Sequence, residues 1–121
     1  MDQFELIISQ AINNEIVRQD VEMLCESRDI AVGQLYNEIA LVIAKRFDSK
    51  IMSYEDADTA MNAIFSMMVE DAGNGEVNPF AEPAFSIYGA FDMGECVLHE
   101  GEDPVETYTR PAIRSFLTDL Q

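Results

Sequence analysis

The 121-residue chain has the length of one domain, and its 48% hydrophobic content excludes the composition of a disordered polypeptide. Seven Lys and Arg against 23 Asp and Glu give a net charge of −16, which excludes a basic surface for nucleic acid or for anionic membranes. Cys25 and Cys96, far apart and without a C-x-x-C, exclude a disulfide framework.

Polar residues interrupt every apolar stretch well short of the roughly 20 residues that cross a bilayer. The first residues, Met1-Asp2-Gln3-Phe4-Glu5, are acidic and lack the basic start of a signal peptide. The expected compartment is the cytosol.

Asp2-x-x-Glu5 reads as a capping box, with Asp2 taking an orphan N–H and Glu5 reaching back to the cap. Phe4, Ile7, Ile8, Ala11 and Ile12 follow at helical spacing. After Asn13-Asn14 the stripe moves to Val17, Val21 and Leu24, on another side of a continuous helix. Residues 2–27 are therefore either two helices or one long helix with partners on two sides.

The next helix is marked by Val32, Leu35, Tyr36, Ile39, Ile43 and Phe47, with Gln34, Asn37, Glu38, Lys45 and Arg46 off the stripe. Ser53-x-x-Asp56 opens another, with Ser as N-cap and acids at the positive end of the dipole. Its stripe, Ala57, Met61, Ile64, Phe65 and Met68, has a second apolar flank in Ala60, Ala63 and Met67. That pattern predicts the central, most buried helix, with the methionines as core rather than as a groove for a partner helix.

Gly73-Asn74-Gly75 ends this helix, and a loop runs to Pro79. Ala84, Ile87, Tyr88 and Phe91 predict a further helix with Pro83 in its first turn. Residues 94–103 read as an acidic loop with at most one short extended piece. Asp103-Pro104-Val105-Glu106 is a strong helix start, yet Pro111 requires the helix to be short or kinked. Ile113, Phe116, Leu117 and Leu120 supply the last apolar face. The expected architecture is all-α: residues 1–121 as a single domain, an irregular bundle of about five helices.

The charge is unevenly placed. Residues 51–109 hold thirteen acids and no Lys or Arg, whereas residues 1–50 hold nine acids and five bases. Solubility alone does not call for excluding every base from half a chain. One reading is a decoy surface: fixed carboxylates imitate a phosphate backbone and occupy the basic groove of a nuclease or other nucleic-acid-binding protein. Nuclease inhibitors and immunity proteins share this size and charge, an analogy of class and not of motif. Glu70, Asp71 and Glu76 around the Gly73-Gly75 loop, and Glu100, Glu102 and Asp103 in the second loop, are the expected contact residues for such a basic protein partner. The plain alternative is a solubilising face on a helical domain, with homodimerisation as its natural use.

Two readings with metal or catalytic chemistry compete with this one. Glu22 with Glu26, and Glu55 with Asp58, are acidic pairs at helical spacing that suit Mg²⁺ and a nucleotide's phosphates. Glu-x-x-Asp also occurs in all-helical nucleotide pyrophosphatases, but the Glu-Glu-x-x-Glu expected ahead of it is missing, and the only lysines are Lys45 and Lys50. Cys96-x-x-His99 offers two soft zinc ligands where a structural site needs four. His99 is the sole histidine, and there is no G-x-S-x-G elbow and no Gly-rich phosphate loop. The expectation is a non-enzymatic binding protein with no cofactor and no metal.

Overall fold

The computed structural model describes residues 2–76, 78–95 and 101–119. Its elements in chain order are α1 (Gln3–Ile12), α2 (Arg18–Arg28), α3 (Val32–Asp48), α4 (Tyr54–Gly73), α5 (Ala84–Met93), a π-helical turn (Val105–Thr109) and α6 (Arg110–Asp119). The all-α expectation holds, with no strand among the described residues.

The first ambiguity resolves into two helices. Asn14 takes a left-handed backbone with φ of 56°, a conformation its short polar side chain tolerates. Gln10 braces the corner: its Oε1 accepts from the Val17 N–H at 3.1 Å, and its Nε2 donates to Asp20 at 2.8 Å. Val21 and Leu24 are buried as the stripe required, but Val17 is 46% exposed because it caps α2 from outside the helix. Only half of the expected capping box forms. Asp2 accepts from the Glu5 N–H at 2.8 Å, while the Glu5 carboxylate pairs with Arg46 on α3 instead of reaching back. A two-pronged guanidinium outcompetes a neutral backbone N–H for a carboxylate.

α3 and α4 form the middle of the bundle. Leu35, Tyr36, Ile39, Ile43 and Phe47 of α3 are buried, as are Ala57, Ala60, Met61, Ile64, Met67 and Met68 of α4. The methionines are therefore core. α4 packs against α1, α3 and α5, and its Ser53 cap accepts from the Asp56 N–H at 3.1 Å. α5 has no cap of its own, so Asn37, off the α3 stripe, accepts from the Ala84 N–H at 2.9 Å.

Tyr54, Phe47 and Phe91 meet where α3, α4 and α5 converge, and the Tyr54 hydroxyl donates to the Phe91 carbonyl at 2.7 Å. Beside them, the buried Thr109 hydroxyl donates to the Ala90 carbonyl at 2.7 Å. The kink required by Pro111 takes the form of the π turn: the Arg110 N–H bonds to the Val105 carbonyl, five residues back, immediately before the proline. The wider turn absorbs the missing N–H and lets the helix continue into α6. Ile113 is buried and Leu117 packs on the core, while Leu120 lies outside the described residues.

Among the described residues, no helix is long and apolar enough to cross a membrane.

Candidate acidic binding site

Arg18, Glu22 and Cys25 recur at i, i+4 and i+7 on one side of α2, facing the last turns of α4. With Val32, Glu70, Asp71, Asn74 and Glu76 they line an open cavity of about 410 Å³. The lining holds four carboxylates and one guanidinium.

That guanidinium is committed to the wall. Arg18 Nη1 donates to Asp71 Oδ1 at 2.8 Å, and Nη2 stands 3.3 Å from Glu70 Oε1 as a charge contact. Tyr36, on the buried stripe of α3, donates its hydroxyl to Asp71 Oδ2 at 2.8 Å. Burial, and then the Asp71 carboxylate accepting that bond, hold the Tyr36 phenol far above its ordinary range, so it stays a donor. Both Asp71 oxygens are thus used, and the residue is only 7% exposed.

The expected contact residues divide accordingly. Glu70 and Glu76 are exposed at the cavity, and Glu22 joins them from α2. Asp71 is turned inward as a structural member, contrary to the expectation of an exposed loop residue, because the helix continues through Gly73 and its face there points at Arg18 and Tyr36. Glu100, like Cys96 and His99, lies outside the described residues. Asp103 is exposed and caps the Val105 N–H at 3.0 Å, and half-buried Glu102 accepts from Tyr108 at 3.4 Å. Among the described residues, Glu102 and Asp103 lie apart from Glu70 and Glu76. The Gly73-Gly75 loop is anchored at the C-terminal end of α4, whereas the second loop leads into the π turn, whose Thr109 meets Gly94 beside Tyr54 at the opposite end.

The acidic pairs expected of an Mg²⁺ site do not converge either. Glu22 lines the cavity beside Glu70, and Glu70 is about 18 Å along α4 from Asp58. Glu26 faces a separate recess with Gln3 and Met23. Asp58 instead neighbours Asp92 and Glu95. Partial burial first, and then the Glu95 and Asp92 charges, push its carboxyl up to about 6. Glu95 is raised as well, by partial burial and by Asp92. Among the described residues, no three Asp, Glu, His or Cys side chains are grouped so as to hold a metal ion.

Cys25 is the one thiol at the cavity. Partial burial, followed by the Glu22 and Glu38 carboxylates, raises its pKa and keeps it protonated, which makes it a poor nucleophile. Chemically, the cavity presents the carboxylates of Glu22, Glu70 and Glu76 to a cation. Glu22 was visible in the sequence as one half of an i, i+4 pair. No local signal could have joined it to Glu70, since 48 positions separate them.

Fold and site together define an all-α protein with an anionic cavity at one end of its central helix. Comparison with protein-family models, with curated proteins and with solved structures returns no match for this chain.

Proposed function

We propose that this chain is a non-enzymatic binding protein of the cytosol that docks a basic protein partner, with the α2–α4 cavity receiving one of the partner's Arg or Lys side chains. The observation that carries the reading is the gathering of Glu22, Glu70 and Glu76 around a cavity whose own cation, Arg18, is already engaged. A volume of about 410 Å³ accommodates a guanidinium or ammonium group with its stem. Neutralising a nuclease or another nucleic-acid-binding protein is the function class that such a surface serves. A partner of that kind would associate quickly and weaken steeply with salt.

The test is calorimetric titration of a short oligoarginine peptide at low and high NaCl. The protein carries either Glu22→Gln, Glu70→Gln and Glu76→Gln together, or Glu55→Gln, Asp56→Asn and Glu106→Gln as a control of equal charge change. Affinity lost about tenfold in the first variant and largely kept in the second supports the cavity. Equal losses would reduce the interaction to net charge and remove the site.

A further inference from the structure

At the outer edge of α4 and α5 a cluster of aromatic rings runs from half-buried Phe65 and Tyr88, which pack on the core, to exposed Phe80 and Phe85, which the core does not cover. Phe65 stacks on Tyr88 with ring centroids 4.1 Å apart, and Phe80 and Phe85 meet edge to face at 5.3 Å. Phe65 also lies 6.0 Å from Phe80 and 6.1 Å from Phe85, so the four rings are contiguous. Phe80 is 41% exposed, Phe85 is 40% exposed and Val69, one turn beyond Phe65, is 49% exposed. An added Cβ at Gly89, one turn after Phe85, would meet nothing within 4 Å, so the helix leaves open space beside the rings.

Carboxylates border this patch. Glu82, next to the rings in sequence, is exposed and accepts from the Ser86 hydroxyl at 2.6 Å. Asp92 lies one turn from Tyr88, and Asp58 and Glu95 are close enough to act on the same phenol. A second copy of the chain would bring these carboxylates against their own kind, which opposes self-association through this face.

The protein itself shows what such a surface accepts. Arg28 stacks over the Phe4 ring at 5.0 Å while pairing with Glu38, and Arg110 stacks over Phe47 at 4.4 Å while pairing with Glu106. In both places a guanidinium takes a ring face and a carboxylate together. The α4–α5 patch has the rings and the carboxylates, and among the described residues no guanidinium lies over them. We infer that the patch formed by Phe65, Phe80, Phe85 and Tyr88, with Asp92 and Glu82 at its borders, seats an arginine-bearing amphipathic segment of a protein partner. Apolar side chains of the segment cover the rings, and its guanidinium groups stack on ring faces and reach the bordering carboxylates. This extends the proposed binding of a basic partner to a second surface, and the two surfaces are tested apart.

The probe is an acetylated, amidated peptide of alternating arginine and leucine, compared with versions carrying lysine or uncharged citrulline in place of arginine. Binding is followed by calorimetry and by NMR shifts of the aromatic rings. The arginine peptide should bind best, with shifts gathered on Phe65, Phe80, Phe85 and Tyr88. Phe80→Ala with Phe85→Ala, at positions exposed enough to leave the fold intact, should weaken it about tenfold. The triple variant at Glu22, Glu70 and Glu76 should keep the ring shifts even if the cavity proves inert. The inference is overturned if the double Phe variant binds the peptide as well as the native chain does, or if the citrulline peptide matches the arginine one. It is overturned equally by sedimentation showing a dimer that the Phe substitutions dissolve, because the occupant would then be a second copy.

Discussion

Tyr36, 1% exposed on α3, donates its hydroxyl in a 2.8 Å hydrogen bond to Asp71 in the last turn of α4. The bond ties the two central helices together directly behind the acidic cavity, and Arg18 of α2 closes the triad from the other Asp71 oxygen. Asp71→Ala should therefore cost about 3 kcal/mol, because it strands a buried hydroxyl and a half-buried guanidinium at once. Tyr36→Phe should cost about 1 kcal/mol, since Arg18 still satisfies the carboxylate. Urea denaturation of both single variants and the double variant checks this. The double should lose clearly less than the sum of the singles, and simple additivity would show that the triad is not coupled.

A second expectation concerns pH. The Asp58 carboxyl is raised from 3.8 to about 6 by partial burial and by Glu95 and Asp92. A raised acid binds its proton more tightly in the folded state, so folding is favoured below pH 4 and this contribution is lost as pH rises toward 6. Because Asp58 is only partly buried, solvent screening reduces the effect to about 1 kcal/mol. Asp58→Asn should raise the melting temperature by about 4 °C at pH 7.5 and much less at pH 4. Glu95, also raised, acts in the same direction, and Tyr88 titrates above this range. An equal gain at both pH values would mean that the effect is not one of titration.

Two glycines should respond oppositely to the same substitution. A Cβ at Gly94 would stand 2.6 Å from Thr109 Oγ1 and 2.7 Å from the Tyr54 hydroxyl, both held by hydrogen bonds to backbone carbonyls. Gly94→Ala should destabilise by about 2–3 kcal/mol, as these side chains cannot yield without releasing their partners. Gly89, inside α5 with open space at its Cβ, should gain about 0.5–1 kcal/mol as Ala. Thermal melts of the two variants suffice, and shifts of the same sign would contradict the packing described at Gly94.

The periodicity of α3 and α4 and the Ser53 cap were legible in the sequence because a buried helix repeats its signal every turn. The stop at Gly73-Asn74-Gly75 and the need for a kink at Pro111 were equally local. What was not legible depended on contacts across the bundle. Arg46 took Glu5 away from its capping box, and Asn37 became the cap of a helix 47 positions ahead. The site followed the same division: Glu70 and Glu76 were marked by their loop, whereas Glu22 came to the cavity only through the turn at Asn14. The inward role of Asp71 was hidden for a simple reason. A sequence shows how many acids surround a loop but not which one meets a buried tyrosine. Of the aromatic patch, Phe65 and Tyr88 were legible only as members of the apolar stripes of their helices, and Phe80 and Phe85 joined them by packing.

The last expectation separates function from stability at the cavity. Glu22 and Glu76 line it with Glu70 and Asp71, and only Arg18 opposes them. Glu70 gains something from its 3.3 Å contact with Arg18, whereas among the described residues no cation stands in an ion pair with Glu22 or Glu76. Like charges held together on a folded surface lower its stability, so Glu22→Gln and Glu76→Gln should each raise the melting temperature by about 1–2 °C at low salt. The gain should fade in high NaCl, where the carboxylates no longer sense one another. The same substitutions should weaken binding of the oligoarginine peptide. Stability lost for affinity gained is the pattern of a site kept for a ligand, since a merely solubilising face has no reason to crowd its charge around a cavity. If both variants melt lower than the native chain, Glu22 and Glu76 hold the fold together and their gathering says nothing about a partner.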